Sequence, residues 1–573
     1  MQVKPLRRIL SVITAAALAA ACLTGCSGQD EPAPPQEDAV TEADLTAVRE
    51  ELIRTSETEG LGDITAMELY ENGVRTASSE YIQAKDNKKL YYSGDIKRVV
   101  NYPDGYILDI PKDWVPDYSM STVRVRYTTD QVTLIATNED QIYTLYDSAE
   151  AYIESVFQYI TADTYMRVNR VEKLSEETLQ LADGYKAYVL KMHLLNCEET
   201  VKSYYTYVVY YNGLNRCVQL MFKAVDDRDF SSVYNSFRPI SAKGIALDTI
   251  TYPCEDNASW NDKTREYYHS LKDSDKISWG IFADNIDTDP LKSKIPGMEE
   301  KIDYKFPIVT SYTEMDWNFP LKDARELTED GRILHFTYHF SRWTDAVGMG
   351  KEAPILNIYR GKKDNDLRRM AKQIAQYGEP ILFRLNNEMN SDWTCWSAVN
   401  AMLDPEIFTE TWIRMHDIFE EEGANANCIW VWNPQGDTSA PQANWNEVRT
   451  YMPGPEYVDM IGVTYYNFGD ENQWDSFEAL YTRIDDYYGK YFRDWPWMIG
   501  EFGCSDTQTP SRKPQWITDM FTSLAAGKYP NIKAAVWFSR NDYDADGNVT
   551  HLLLLDESEE TLTAFREGLA KTQ

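Results

Sequence analysis

Eight short apolar runs recur in the second half of the chain, at 277–280, 307–310, 333–336, 381–384, 429–432, 460–463, 497–500 and 534–537. Each is nearly continuous in apolar residues, the pattern of strands buried on both faces of a parallel sheet. Amphipathic stretches with helical spacing separate several of them. One brings Leu367, Met370, Ala371 and Ile374 to a single face and stops at Gly378. Another opens with Asp404 as N-cap and Pro405 at the first helical position, buries Phe408, Trp412, Met415 and Phe419, and ends at Gly423. Eight strands alternating with helices predict an α/β fold, a (β/α)8 TIM barrel over residues 250–573.

The pattern before the barrel is different. From 90 to 241 it is strand-rich, with runs at 123–125, 132–135, 188–190, 204–209 and 217–221. Asn212-Gly213 between the last two is a hairpin signal, and a helix is predicted from Ser148 to Ile160. With Tyr102-Pro103-Asp104-Gly105-Tyr106 at its start and Phe230 to Pro239 at its end, this region resembles a PsbP-like α+β domain. It holds no nucleophile motif, metal cluster or Gly-rich phosphate loop, so it reads as a spacer or binding module.

At the start of the chain Lys4, Arg7 and Arg8 precede an apolar run at 9–21 that is too short to span a bilayer. Leu23-Thr24-Gly25-Cys26 follows and resembles the lipobox of a bacterial lipoprotein signal. That resemblance implies cleavage before Cys26, lipidation of its thiol, and anchoring outside the cytoplasm to a bacterial cell membrane. Residues 26–89, with Asp30-Glu31-Pro32-Ala33-Pro34-Pro35, read as a solvated tether and linker.

Composition narrows the partner. The 573 residues carry 57 Lys+Arg against 91 Asp+Glu, a formal charge of −34. Loss of the first 25 residues removes three basic and no acidic side chains, leaving −37. Such a chain is a poor ligand for a phosphate backbone or an anionic lipid surface. Its 39 Tyr and 16 Trp suit a neutral polar ligand such as a sugar, although most aromatics are core. The cysteines beyond Cys26 show no metal-ligand spacing, and isolated thiols are expected, with a Cys197–Cys217 bridge the one alternative.

Chemistry in this fold sits at the C-terminal ends of the strands. Two glutamates fall there: Glu388, in Arg384-Leu385-Asn386-Asn387-Glu388-Met389-Asn390 after the fourth run, and Glu501, in Gly500-Glu501-Phe502-Gly503 at the end of the seventh. A retaining glycosidase needs such a pair, one carboxylic acid to protonate the leaving oxygen and one carboxylate to attack the anomeric carbon. Asn387 before the acid is placed to bond a sugar hydroxyl. A lone strand-end Glu is more often a rim residue, so position on both strands carries the reading.

With Tyr338-His339-Phe340, Arg360-Gly361-Lys362, Glu388-Met389-Asn390-x-x-Trp393-x-x-Trp396, the 457–463 run, Tyr466-Asn467, Trp516-Ile517-Thr518-Asp519 and the 529–534 run, these glutamates resemble glycoside hydrolase family 26 of clan A, known for endo-β-mannanases. The resemblance implies Glu388 as acid/base and Glu501 as nucleophile oriented by Tyr466. It implies sugar contacts from His339, Arg384, Asn387, Trp393 and Trp396, and a floor formed by Trp537. One departure is that the family usually has His where this chain has Asn387. The expected substrate is a β-1,4-linked polysaccharide, β-mannan first, with β-glucan or xylan open and a non-catalytic glycan-binding barrel as the rival. No cofactor or metal is implied, and the protein is read as a monomer with no nucleic-acid partner. The stretch 542–547 is acidic but lacks the closing Glu of a calcium loop, so it reads as a polar loop.

Overall fold

The computed structural model describes residues 68–71, 74–75, 88–93 and 95–572, apart from 140–144, 182–183, 214–216, 243–245, 289–293, 342–351, 470–473, 507–509 and 545. The signal, Cys26 and most of the tether lie outside the described residues.

The eight apolar runs form a closed parallel barrel: β1 (Ser278–Phe282), β2 (Ile308–Glu314), β3 (Ile333–His339), β4 (Ile381–Leu385), β5 (Cys428–Trp432), β6 (Met460–Thr464), β7 (Trp497–Phe502) and β8 (Ile532–Phe538). Closure runs from Ser278 against Ala534 to Phe282 against Phe538. Alternation along the strands divides their side chains. Ile308, Ile333, Leu382, Ile429, Val431, Met460, Met498, Ala534 and Val536 fill the barrel and meet Trp260, Tyr268 and Leu271. The last two lie on the helix Asp262–Lys272. Trp260 donates its indole N–H to the carbonyl of Cys428, the first residue of β5, at 2.8 Å, so this segment closes the N-terminal mouth. The alternate residues, among them Trp279, Phe336, Phe383, Trp430 and Trp537, join the outer core with the helices.

Both helices anticipated from periodicity form where expected. The first, Asp364–Tyr377, buries Leu367, Met370, Ala371 and Ile374 and ends on Gly378 at φ 75°, a backbone state that glycine adopts without strain. The second, Pro405–Glu421, starts behind Asp404, whose carboxylate accepts from the Glu406 N–H at 3.0 Å.

The preceding region is two antiparallel sheets. A seven-stranded sheet runs in the order Val115–Asp117, Arg124–Thr128, Val132–Asn138, Cys217–Ala224, Tyr204–Tyr211, Lys186–Leu194, Val171–Gln180. Tyr211 pairs with Cys217 across the Asn212-Gly213 turn. One face, with Val208, Tyr210, Val218, Leu220 and Phe222, packs against Val99, Tyr106, Leu108 and Ile110 of the smaller sheet. The other face, with Tyr188, Leu190, Tyr205, Tyr207 and Val209, packs against the helix Ala149–Thr161 in an apolar cluster that continues into the barrel's outer core. The smaller sheet begins at Glu68–Glu71, inside the stretch assigned to the linker. Ladder hydrogen bonds to Lys88–Ser93 hold that strand, and they need no apolar run in the sequence.

The two regions are clasped rather than strung together. Lys223 lies between Asp404 at 2.9 Å and Glu406 at 2.8 Å, and Arg126 reaches Glu406 at 2.9 Å. Glu139 accepts from the backbone N–H groups of Asn444 at 2.7 Å and Trp445 at 3.0 Å. Arg360 donates to the carbonyls of Asn169 at 2.6 Å and Leu195 at 2.9 Å. The six described cysteines are not joined to one another as disulfides.

Candidate active site

Glu501 would face the helices if β7 alternated strictly, because Trp497 and Ile499 do so. The register against β6 shifts here: Val463 pairs with Ile499, but Thr464 pairs with Glu501, so Gly500 is an extra residue. This bulge returns Phe502 to the outer core and turns Glu501 inward. Only glycine fits at its centre, since a Cβ on Gly500 would stand 2.0 Å from Asn433 Oδ1 and 2.9 Å from an Arg384 guanidinium nitrogen.

The Glu501 carboxylate is heavily solvated by protein. Its Oε1 accepts from Tyr312 at 2.6 Å, Arg384 at 2.6 Å and Asn387 Nδ2 at 3.0 Å, while Oε2 accepts only from Tyr466, at 2.9 Å, among the described residues. Glu388 sits just past β4 in a left-handed backbone conformation, φ 58°, with Asn386 at φ 46°. Such φ values are costly for residues with a Cβ and cluster where function demands them. The Glu388 N–H is tied to the Asn433 carbonyl at 2.8 Å, which fixes the turn.

Asn387 joins the two acids. Its Nδ2 is 3.0 Å from Glu501 Oε1 and 3.5 Å from Glu388 Oε2, so those carboxylate oxygens lie no further apart than the sum of the two, 6.5 Å. The amide is oriented from behind: His339 Nε2 donates to its Oδ1 at 2.9 Å, and Trp396 donates to its backbone carbonyl at 2.9 Å. Burial pushes the His339 ring down to about 4, so it stands neutral as that donor. Burial, and then the charge of Glu501, hold the Glu388 carboxyl well above the usual carboxylate range, with Arg384 opposing. One acid therefore keeps its proton while its neighbour is wrapped in donors.

The remaining anticipated site residues divide. Trp393 is 47% exposed on the loop after β4, open to a ligand. Trp396 is only 4% exposed and its ring lies 4.5 Å from that of His339, so it braces Asn387 and offers no stacking face. Arg384 is fully buried and bonded to Glu501, Tyr312 and Thr337, which makes it a support for the carboxylate and removes it from sugar contact. Trp537 is also corrected. It is 0% exposed, faces outward against Phe502 and Phe565, and donates to the Leu553 carbonyl. Phe538, one residue on, is the one turned inward, with its ring 4.8 Å from Phe282 and 6.0 Å from Tyr466. Tyr312 was not among the expected residues; the alternation Ile308, Thr310, Tyr312 along β2 carried the signal. The hairpin Asp542–Tyr543/Val549–His551 borders the site, and Asp544 is bonded within it to Asn548. Among the described residues no cluster of His, Cys, Asp and Glu is arranged to hold a metal.

A cavity of about 540 Å³ opens beside Glu388, lined by Gln435, Tyr466, Phe468 and Trp474, a size typical of small-molecule sites. With this pair, amide bridge and cavity in view, the comparison with known families is direct.

Residues 323–486 match the model of glycosyl hydrolase family 26. The barrel is similar to family 26 domains over this stretch, which includes Glu388 but stops short of Glu501. Endoglucanase H of Acetivibrio thermocellus is 29% identical over 297 residues, 50% of this chain and 30% of that protein. A mannan endo-1,4-beta-mannosidase of Bacillus subtilis strain 168 is 27% identical over 136 residues, 22% of this chain and 34% of that protein. The chain therefore spans about a third of the length of these curated relatives. Among solved structures, an endo-beta-1,4-mannanase double mutant of Cellulomonas fimi aligns at TM-score 0.42 and 16% identity, over 55% of this chain and 75% of that one. The family 26 domain of a Prevotella bryantii endo-beta-mannanase/endo-beta-glucanase aligns at TM-score 0.39 and 14% identity, over 54% and 94%.

Proposed function

We propose that the barrel is a retaining endo-β-glycanase acting on β-1,4-containing polysaccharide, with Glu388 as acid/base and Glu501 as nucleophile. The observation that carries this is the Asn387 bridge, which keeps the facing carboxylate oxygens within 6.5 Å. Retaining enzymes hold the pair at about 5–5.5 Å, whereas inverting ones need about 6.5–9.5 Å to admit a water.

In the first step Glu501 attacks the anomeric carbon as the bond to the glycosidic oxygen breaks, and Glu388 gives its proton to that oxygen. Oε2 is the attacking oxygen, because Oε1 is engaged by three donors. The resulting ester removes the negative charge that raised Glu388, so its affinity for a proton falls when it must act as a base. Glu388 then takes a proton from water, which attacks the anomeric carbon and frees Glu501. Arg384, Tyr312 and Tyr466 hold the leaving carboxylate throughout.

Two observations order the substrates. Asn387, where the family usually has His, stands where the 2-hydroxyl of glucose or mannose would be read, and the relative aligned over 297 residues is an endoglucanase. β-Glucan is therefore the first substrate and β-mannan the second, reversing the order expected from the resemblance alone. Incubation with activated 2-deoxy-2-fluoro glycosides of glucose and mannose should add one sugar to the intact protein, mapped to the peptide with Glu501 and absent in Glu501→Ala. No label together with no reducing sugar from a β-glycan panel would overturn the proposal. The lipobox-like sequence supports a second part of the reading, that Cys26 anchors the enzyme outside the cytoplasm; Cys26→Ala should then move it from the membrane to the soluble fraction.

A further inference from the structure

We propose that the N-terminal two-sheet domain is part of the glycan-binding surface, with its helix Ala149–Thr161 and the residues just before it supplying one wall of a distal sugar subsite. This rests on the endo-β-glycanase reading. The cavity beside Glu388 shares Gln435 and Tyr465 with a second cavity of about 520 Å³, so the two adjoin at these side chains. The far wall of the second cavity comes from Tyr146, Ser155 and Tyr159 of the N-terminal domain. The near wall comes from the barrel: Asp392, beside the exposed Trp393, and the loop holding Gln435 and Ser439.

The chemistry is that of a carbohydrate site. Tyr146 and Tyr159 are half-buried, leaving ring surface for the C–H face of a pyranose. Asp392, Gln435 and Ser439 supply acceptors and donors for hydroxyl groups, and among the described residues no basic side chain lines this cavity to favour an anion. Tyr159 senses Asp392 across the groove: burial, and then that negative charge, hold its phenol above the usual range.

The wall is also fixed in place. Tyr146 packs edge-on against Tyr152 at 5.5 Å, and the Tyr152 hydroxyl accepts from the Trp445 indole of the barrel at 3.0 Å. Glu139, just upstream, holds the same barrel turn through two backbone N–H groups. A surface so pinned costs little ordering on binding, which is what a subsite needs.

The experiment measures kcat/KM of the full-length protein on soluble β-1,4 and mixed-linkage oligosaccharides from trisaccharide to octasaccharide. Tyr159→Ala should lower the octasaccharide value by about three- to tenfold, the worth of one aromatic contact, and leave the trisaccharide unchanged. Tyr159→Phe should keep the wild-type profile. Ser155→Trp, which fills the groove without touching the core, should reproduce the selective loss and decides the matter if Tyr159→Ala is unstable. An active enzyme whose variants lose nothing, or lose equally on short and long substrates, overturns this inference and leaves the catalytic reading intact. A wild-type protein inactive on every glycan overturns both.

Discussion

Two of the buried ionic networks among the described residues, one at the domain interface and one in the candidate site, differ in how charge is balanced. At the domain interface Asp404, Glu406 and Glu410 meet Lys223, Arg124 and Arg126. At Glu406 the cations win: burial opposes it, but Arg126, Lys223 and Arg124 bring it well below the usual carboxylate range, whereas burial holds Asp404 and Glu410 above theirs. Lys223 moves the other way, since Asp404 and Glu406 more than offset its burial. In the candidate site Arg384 is, among the described residues, the one cation bonded to the pair, and it is committed to Glu501. The other acid, Glu388, is left to keep its proton. A balanced cluster joins domains; a cluster short of one positive charge stores a proton beside a cavity.

The sharpest break of this comparison is Glu501→Ala, which should lower kcat by at least about ten-thousand-fold. Next comes Lys223→Met, which strands two buried carboxylates. Denaturant unfolding should show a loss of about 3–5 kcal/mol. Lys223 is raised on folding, so its contribution is complete at neutral pH and fades only as pH climbs through that raised value. The wild-type advantage should therefore be flat across neutral pH, and a gap that closed there would refute the assignment.

Arg384→Met should cost about a hundredfold in kcat, within the range for removing a charged donor. It should also displace the alkaline limb of the kcat/KM profile upward, because Arg384 lowers the proton affinity of Glu388. A limb displaced downward would mean that another group titrates. In the wild type the limb should already stand above the ordinary carboxylate range, since activity is lost as pH rises through the raised Glu388 value. The smallest effect is Tyr466→Phe, about tenfold in kcat with little change in KM, from one hydrogen bond to Glu501.

Much of the barrel was legible because a strand buried on both faces leaves a continuous apolar run, and helix ends such as Asp404-Pro405 and Gly378 announce themselves. The carboxylate pair was legible from strand ends. The aim of individual side chains was not. Trp537 and Phe538 are adjacent and aromatic, yet alternation sends one to the helices and the other to the cleft. Trp396 carries the spacing of a sugar platform, but its N–H is spent on Asn387 and its ring on His339. The docking of the first domain was also hidden, since Lys223 reads as one charge in a strand and its partners lie 181 and more residues away. Strands such as Glu68–Glu71 escaped because they are held by backbone bonds to the strands on either side.

The bulge at Gly500 makes the proposed chemistry a matter of counting. Were Gly500 instead taken into the ladder in strict alternation, no acid, base or donor would be lost, yet parity along β7 would swing the carboxylate of Glu501 out among the helices and bring Phe502 toward the cleft. The direction of that carboxylate rests on a one-residue slip of register as much as on the letters of the strand.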